Sequence, residues 1–276
     1  MAHPNVVHQP PPLPEDKRLL HTSESILSAA LSRFPITPTP PDRRLHSIPP
    51  LATTNGAVLF QCVLKRPTVE WLYLDGHWLC GAESMKETFA RELRLLRTVK
   101  PHVNIVGFLG VVDELGLLIE KIDGVSLETR LYSGSPTSLH LKIYWVNQII
   151  DALCHVHSFS LCHGDISLGN VLITAENTIK LIDFGNSAKN GERVYPSTVP
   201  FEAPEIRQSS AVDPILADAY AFGVLALFID ANLPRETTEI KVGWAIHFSA
   251  LVLRYVQPVQ TRARVHISHR LPETST

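Results

Sequence analysis

The sequence offers little to a disulfide network or to a cysteine-bound metal. Its four cysteines, at positions 62, 80, 154 and 162, form no CxxC pair and lie inside apolar stretches. A zinc site or a disulfide framework normally needs cysteines at close and regular spacing. We therefore predict buried thiols in a reducing compartment, and we assign no metal site to them.

An excess of charge of one sign is also missing. The chain has 25 Lys and Arg against 27 Asp and Glu, a formal net charge of -2, so no global field draws it to nucleic acid or to an anionic membrane. Long apolar runs are absent as well, since residues 219–229 and 242–256 are too short for a span and no signal-like apolar segment follows a basic start. We expect a soluble intracellular protein, cytoplasmic or nuclear, with no nucleic-acid partner and no membrane span.

Proline is concentrated at one end of the chain. Eleven of the 21 prolines precede Leu51, in blocks that a helix interior or a central strand cannot hold. We predict that residues 1–44 form a largely disordered tail, and a spacer is favoured over a proline-motif ligand. Within it, Ser23–Phe34 has the pattern of a short amphipathic helix that could dock on the folded body. Its apolar face comprises Ile26, Leu27, Ala30 and Leu31.

The rest of the chain divides into a part with strand-like composition and a part with helical periodicity. Residues 57–65, 71–74, 105–112 and 116–121 have the β-branched and aromatic composition of strands, with an amphipathic helix predicted over 83–99. After the turn at Asp123-Gly124 the periodicity is helical, notably over 139–159. We predict one folded α+β unit over 45–256, with a small β-rich lobe (45–121), a larger helical lobe (125–256) and a polar tail (257–276).

The chemistry concentrates in two short segments of the larger lobe. They read His163-Gly164-Asp165-Ile166-Ser167-Leu168-Gly169-Asn170 and Leu181-Ile182-Asp183-Phe184-Gly185. Phosphoryl transfer requires a carboxylate beside the attacking hydroxyl, together with oxygen ligands for magnesium. Asp165, Asn170 and Asp183 supply these groups in one ordered cluster.

These segments resemble the catalytic loop (HRDxxxxN) and the magnesium loop (DFG) of eukaryotic-type protein kinases. The resemblance implies a bilobal kinase fold that uses ATP, Mg²⁺ and a protein substrate. Asp165 would accept the proton of the substrate hydroxyl, while Asn170 and Asp183 would bind magnesium. The HGD-type loop is similar to that of divergent kinases from filamentous fungi.

The first segment also resembles aminoglycoside and choline kinases, so a small-molecule kinase is the alternative. Two later segments favour a protein kinase. Ala203-Pro204-Glu205, preceded by Thr198, is similar to the end of an activation segment, where the hydroxyl of the Thr would contact Asp165. Asp218, in a predicted buried helix, resembles the carboxylate that holds the catalytic-loop backbone.

In the small lobe the resemblance is carried by single residues. Lys65 is similar to the lysine that contacts the ATP phosphates, and Glu92 to its helix partner, although their separation is longer than usual. Glu120 and Ile122 lie in a hinge-like segment whose backbone would pair with adenine. The phosphate loop is the weakest match, because Thr53-Thr54-Asn55-Gly56 lacks the GxGxxG pattern.

Three departures qualify this interpretation. Gly164 replaces the usual Arg, which makes control by loop phosphorylation doubtful, and Ser167 replaces the usual Lys. No residue is clearly the Arg that pairs with Glu205, which predicts an incomplete C-terminal lobe. We predict a protein kinase acting on Ser/Thr, or on Tyr, with reduced activity; a pseudokinase-like nucleotide-binding scaffold is the other alternative.

Overall fold

The computed structural model describes residues 52–54, 57–59, 61–67, 71–74, 77–80, 82–112, 116–208 and 212–273. The predicted tail over 1–44, including Ser23–Phe34, lies outside these residues, as do Asn55 and Gly56 of the phosphate-loop match.

The small lobe is built from short antiparallel strands. A three-stranded sheet has the order β3-β7-β6, and two hairpins, β1-β2 and β4-β5, accompany it. The stretch 57–65, predicted as one strand, forms two, since β2 pairs with β1 whereas β3 pairs with β7. The strands are β1 (Ala52–Thr54), β2 (Ala57–Leu59), β3 (Cys62–Lys65), β4 (Trp71–Leu74), β5 (His77–Cys80), β6 (Phe108–Val112) and β7 (Gly116–Glu120).

One long helix, α1 (Ala82–Thr98), accompanies this sheet. Its apolar positions recur every three or four residues, so Phe89, Leu93 and Leu96 share one face and are buried. Glu92 lies among them and is only 2% exposed. A buried carboxylate is costly without a partner, and its position therefore indicates a role in pairing.

The larger lobe opens with a small sheet and two helices. The sheet has the order β10-β9-β8, formed by β8 (Gly124–Ser126), β9 (Val171–Thr174) and β10 (Ile179–Leu181). Ser126 and Ser138 cap the N-termini of α2 (Leu127–Leu131) and α3 (Leu139–His157) with their side chains. The hairpin of β9 and β10 begins directly after Asn170 and ends two residues before Asp183, so it brings the two predicted loops to one edge.

Helix α4 (Pro214–Ala231) forms the centre of this lobe. Asp213 caps its N-terminus, and Asn232 ends it in the left-handed conformation, with φ of 50°. Its length and apolar composition would suffice for a membrane span, but 83% of it is buried inside the fold. The helix therefore has the character of a core helix, against which α5 (Ser249–Tyr255) packs.

The stretch from residue 257, predicted as a polar tail, packs on the large lobe as far as Leu271. Arg262 and Val265 are buried, and the side chain of Asn147 on α3 makes two hydrogen bonds with the backbone of Leu271. The composition of this stretch is polar, yet the lobe itself satisfies many of its polar groups. The folded unit therefore extends beyond the boundary at 256 that the sequence predicted.

Candidate active site

The catalytic loop is anchored by Asp218 on α4. This carboxylate is 2% exposed and accepts hydrogen bonds from the backbone N–H groups of His163, at 2.7 Å, and Gly164, at 2.9 Å. His157 Nε2 lies 2.9 Å from the same carboxylate. These contacts offset the cost of burying the charge, so the loop backbone is fixed on the central helix of the lobe.

His163 is fully enclosed behind the loop. Its Nδ1 accepts a hydrogen bond from the N–H of Asp165, so Nε2 carries the proton and donates to the carbonyl of Ile182, at 3.0 Å. Burial lowers the pKa of His163 below its usual value of 6.5 despite the nearby carboxylates. A neutral imidazole therefore joins the two loops, and its ring packs on Phe184 with centroids 4.6 Å apart.

Gly164 has a backbone conformation that other residues rarely adopt. Its φ is +85°, and an added Cβ would lie 2.1 Å from the carbonyl oxygen of Asn186. In this arrangement a side chain at position 164 would displace the segment that follows the magnesium loop. The local backbone therefore requires Gly at the position where the protein kinase motif usually has Arg.

Asp165, Asn170 and Asp183, predicted from the sequence, lie on two loops that are bonded to each other. Asn170 donates from Nδ2 to the Asp165 carbonyl, at 2.8 Å, and to its Oδ2, at 3.1 Å. The N–H of Ile182 donates to the Asn170 carbonyl at 3.0 Å, which ties the loop of Asp183 to the loop of Asp165. The cluster is therefore held by backbone as well as side-chain contacts.

Thr198 contacts Asp165, but in a different way from the one expected. Its backbone N–H donates to Asp165 Oδ1 at 2.9 Å, whereas the sequence interpretation expected its hydroxyl to make the contact. The activation segment thus reaches the Asp165 carboxylate through a group that every residue except proline carries. The identity of the side chain at position 198 matters less for this contact than the sequence suggested.

Lys65 and Glu92, 27 positions apart, are brought together by β3 and α1. Lys65 Nζ lies 2.8 Å from Glu92 Oε2 and 3.0 Å from Asp183 Oδ1. Burial acts to lower the pKa of Lys65, but the two carboxylates outweigh it and hold that pKa above its usual value. The lysine is therefore a fixed cation that links the small lobe to the magnesium loop.

Asp183 is held as a carboxylate. Burial acts to raise its pKa, but the charge of Lys65 and hydrogen bonds from Lys65 and the N–H of Gly185 keep that pKa below its usual value. Both protein donors contact Oδ1, which leaves Oδ2 as a ligand, and Asn170 uses its Nδ2 on Asp165, which leaves its amide oxygen. Carboxylate and amide oxygens suit Mg²⁺, so these residues fit the cation that the resemblance implies.

The hinge residues Glu120 and Ile122 lie at the end of β7 and just beyond it. The side chain of Glu120 accepts hydrogen bonds from the N–H of Gly107, at 2.9 Å, and from Lys180 Nζ, at 2.8 Å. Its own N–H donates to the carbonyl of Gly107. The side chain of Glu120 thus joins the two lobes, and the pairing of the hinge backbone with adenine stays a prediction.

The segment after Asp183 is attached to α1. Arg94 donates to both carboxylate oxygens of Glu192, at 2.6 and 2.8 Å, and Arg91 donates to the carbonyl of Gly185 at 2.8 Å. Tyr195 donates to Glu87 at 2.7 Å. The sequence analysis missed these residues, because ordinary helix charges carry no signal of partners about a hundred positions away.

Glu205 has the arginine partner that the sequence analysis did not find. Arg262 pairs with its carboxylate through both terminal nitrogens, and it also donates to the carbonyls of Leu216 and Gln257. The Arg262 side chain is 1% exposed. The expectation that no arginine pairs with Glu205 is therefore wrong. One of the reasons for predicting an incomplete C-terminal lobe is thereby removed. The partner lies in the stretch that was assigned to the polar tail.

Comparison with known proteins agrees with this arrangement. The protein kinase domain family matches residues 81–247, more than half of the chain. The mitogen-activated protein kinase kinase kinase dlk-1 of Caenorhabditis elegans is 32% identical over 161 residues, which cover 55% of this chain and 16% of that protein. The kinase kinase kinase MST11 of Pyricularia oryzae is 33% identical over 162 residues, covering 52% of this chain and 17% of that protein.

A third relative, the mitogen-activated protein kinase kinase kinase 13-A of Xenopus laevis, is 32% identical over 177 residues, 61% of this chain and 18% of the relative. The chain thus spans less than a fifth of the length of these relatives. Lys65 precedes the family match and Arg262 follows it, so their pairing with Glu92 and Glu205 is independent support from geometry. On its ordered motifs, the extent of the match and the bilobal α+β fold, the chain belongs to the protein kinase family.

Proposed function

We propose that this chain is an ATP-dependent protein kinase that transfers the γ-phosphoryl group to a Ser or Thr hydroxyl of a protein. The observation that carries the proposal is the position of Lys65 Nζ, within 3.0 Å of carboxylates on both Glu92 and Asp183. Such a link between the lobes is needed to align nucleotide phosphates with the catalytic loop. A relative named as a probable serine/threonine-protein kinase, from Dictyostelium discoideum, is 36% identical over 106 residues and supports the choice of hydroxyl.

Each residue of the cluster has a separate task. Lys65 would contact the nucleotide phosphates, while Asn170 and Asp183 would hold Mg²⁺, which when bound neutralises phosphate charge. Asp165 would orient the substrate hydroxyl and accept its proton. Its Oδ1 is held by the N–H of Thr198 and its Oδ2 by Asn170, so the carboxylate has a fixed orientation before any substrate arrives.

A cleft of about 310 Å³ beside Asp165 is suited to a peptide. Thr198, Val199, Pro200 and Phe201 line it, together with Arg235 of the large lobe. The first four belong to the activation segment, which is the feature that separated a protein kinase from a small-molecule kinase in the sequence. We therefore propose an extended protein segment as the phosphoryl acceptor.

Purified protein with labelled ATP and Mg²⁺ tests the proposal directly. We expect transfer to the protein itself or to a generic protein mixture, and a rise of the melting temperature with Mg²⁺-ATP. In Asp183→Asn the metal-dependent part of that rise should disappear. Asp151→Asn is the matched control, because it changes a carboxylate of α3 that is paired with Arg270, outside the catalytic cluster.

Two outcomes would contradict the proposal. Transfer to an aminoglycoside or to choline and never to protein would favour the small-molecule alternative. Stabilisation by Mg²⁺-ATP without any turnover would favour the scaffold.

A further inference from the structure

A cavity of about 500 Å³ lies behind α1, away from the catalytic cluster. One wall is the C-terminal end of α1 with the loop that follows it, and the other is the β9-β10 hairpin of the large lobe. Leu96, Val99 and Phe108 give it an apolar lining, and Glu120 and Lys180, which form an ion pair between the lobes, also line it. Cavities of this size and composition bind apolar ligands or side chains of a partner.

The rim of the cavity combines an exposed apolar side chain with charges of both signs. Val103 lines the cavity and is 64% exposed, so its burial by an occupant would remove apolar surface from water. Lys100, on the α1 side, and Glu176, on the β9-β10 turn, are both exposed. An occupant that buries Val103 and carries one acidic and one basic group would complement this rim.

We propose that the occupant is Ser23–Phe34 of this chain, a segment that lies outside the described residues. Its sequence has a single apolar face, with Glu24 near one end and Arg33 near the other. These charges match Lys100 and Glu176. Residues 35–51 connect it to β1, and an extended chain of that length reaches about 50 Å, more than the roughly 30 Å diameter of a small domain.

Docking at this position would act on the catalytic cluster through α1. Leu95 and Leu96 of this helix line the cavity, within two turns of Glu92. An occupied cavity would hold the helix in the position where Glu92 meets Lys65. This consequence rests on the proposed function, whereas the docking itself does not.

Hydrogen exchange of the full chain tests the docking without any measurement of activity. In Leu27→Asp/Leu31→Asp we expect amides of residues 99–108 and 174–180 to exchange on the order of tenfold faster than in the unsubstituted chain. Ser32→Asp adds a charge outside the apolar face and should leave this exchange unchanged. In the reverse direction, Val103→Asp should speed exchange within residues 23–34, while Leu253→Asp, at an exposed position of α5, should not.

A synthetic peptide of residues 20–36 keeps the test decisive if the double variant is destabilised. Added in excess, it should restore the protection of residues 99–108 in that variant. Equal exchange in all variants would overturn the proposal. Protection that depends on protein concentration would overturn it in favour of a second copy as the occupant. A double variant that loses protection but keeps its full transfer rate would overturn only the link to Glu92, and a chain without any transfer would leave the docking result valid.

Discussion

Near each end of helix α4, a buried aspartate accepts hydrogen bonds from the backbone N–H groups of a loop, but the two loops differ in function. Near its N-terminus Asp218 accepts the backbone N–H groups of His163 and Gly164, and near its C-terminus Asp230 accepts three consecutive backbone N–H groups, at 2.6, 2.8 and 2.9 Å. Both aspartates are almost fully buried. The second set belongs to residues 246–248, which lead into α5.

The difference lies in what each loop carries. The loop held by Asp218 presents Asp165 to the cleft, whereas the loop held by Asp230 carries no residue of the catalytic cluster. Asp218 uses both carboxylate oxygens, but Oδ1 of Asp230 is buried without a partner among the described residues. Asp218 therefore positions the loop of Asp165, whereas Asp230 supports the fold alone. Substitutions of both aspartates should lower the unfolding free energy, but only those of Asp218 should also lower the transfer rate.

The largest effect is expected at the catalytic end, in Asp165→Ala. The rate of phosphoryl transfer should fall by roughly 10²–10⁴-fold, because the group that we propose to orient the hydroxyl and accept its proton is lost. ATP affinity should stay nearly constant, since Asp165 acts on the hydroxyl side. Steady-state kinetics and calorimetric ATP binding measure the two quantities, and an unchanged rate would contradict the assignment.

Removal of Arg262 should destabilise the start of α4, where it donates to the carbonyl of Leu216. In Arg262→Met the carboxylate of Glu205, which is 13% exposed, loses its partner, which costs about 3–5 kcal/mol in unfolding free energy. Arg264→Met is the control, because its pair with Asp213 is more exposed and should contribute only about 0–1 kcal/mol. Urea unfolding measures both, and equal losses would show that burial of the pair is unimportant.

Asp218→Asn and Asp230→Asn compare the two ends of α4 directly. Each should lower the unfolding free energy by about 2–3 kcal/mol, because hydrogen bonds to a charged acceptor are weakened. Only Asp218→Asn should also lower the transfer rate per folded molecule, since it alone loosens the loop of Asp165. A similar rate loss in Asp230→Asn would break the distinction between the two ends.

The buried His163 should make the catalytic end sensitive to acid. Its pKa is lowered in the folded state, so its contribution to stability is fully present above pH 6.5, the usual value, and decreases as the pH falls below it. We expect His163→Gln to flatten the pH dependence of the melting temperature between about pH 7.5 and 5.5, a change of about 1 kcal/mol or more in unfolding free energy. His247→Gln, at an exposed position, is the control, and an unchanged slope in His163→Gln would contradict the prediction.

The smallest effect is expected from phosphorylation of the activation segment. Gly164 provides no cation for an added phosphate, and the carboxylate of Glu192 already occupies Arg94. Phosphatase treatment of active protein should leave the rate unchanged. Glu192→Gln should lower the unfolding free energy by at most about 1 kcal/mol, because the pair of Glu192 with Arg94 is partly exposed. A rate loss of about tenfold or more after phosphatase treatment, about 1.4 kcal/mol, would show that a phosphate is needed.

Residues close in sequence were the predictable part of the site. Asp165 and Asn170 lie on one short loop, and Asp183 follows β10 by two positions, so local spacing was enough to group them. Asp218 was predicted as their support from the resemblance of its helix to the buried helix of the protein kinase family. The helix observed over 82–98 was predicted over 83–99 from periodicity, and the strands within 57–65, 71–74, 105–112 and 116–121 were predicted from their composition. The strands β1 and β5 and the sheet of the large lobe were not predicted.

Two ion pairs between residues far apart in sequence were not predicted from any pattern. Arg94 and Glu192 are 98 positions apart, and Arg262 is 57 positions from Glu205. Charged side chains on a helix or in a polar stretch have many solvated roles, so their composition does not indicate a partner. Arg262 was assigned to a tail for this reason.

The sequence alone determined which groups are available for phosphoryl transfer and in which order the elements that carry them follow. Hydrophobic periodicity and turn residues act locally, and they fix helices, strands and the short loops between them. Tertiary structure alone decided that Lys65 meets Asp183 as well as Glu92, that Thr198 contacts Asp165 through its backbone, and that residues 257–271 pack on the large lobe. Those outcomes depend on which buried polar groups satisfy one another across the fold, and that choice is made only when the lobes pack.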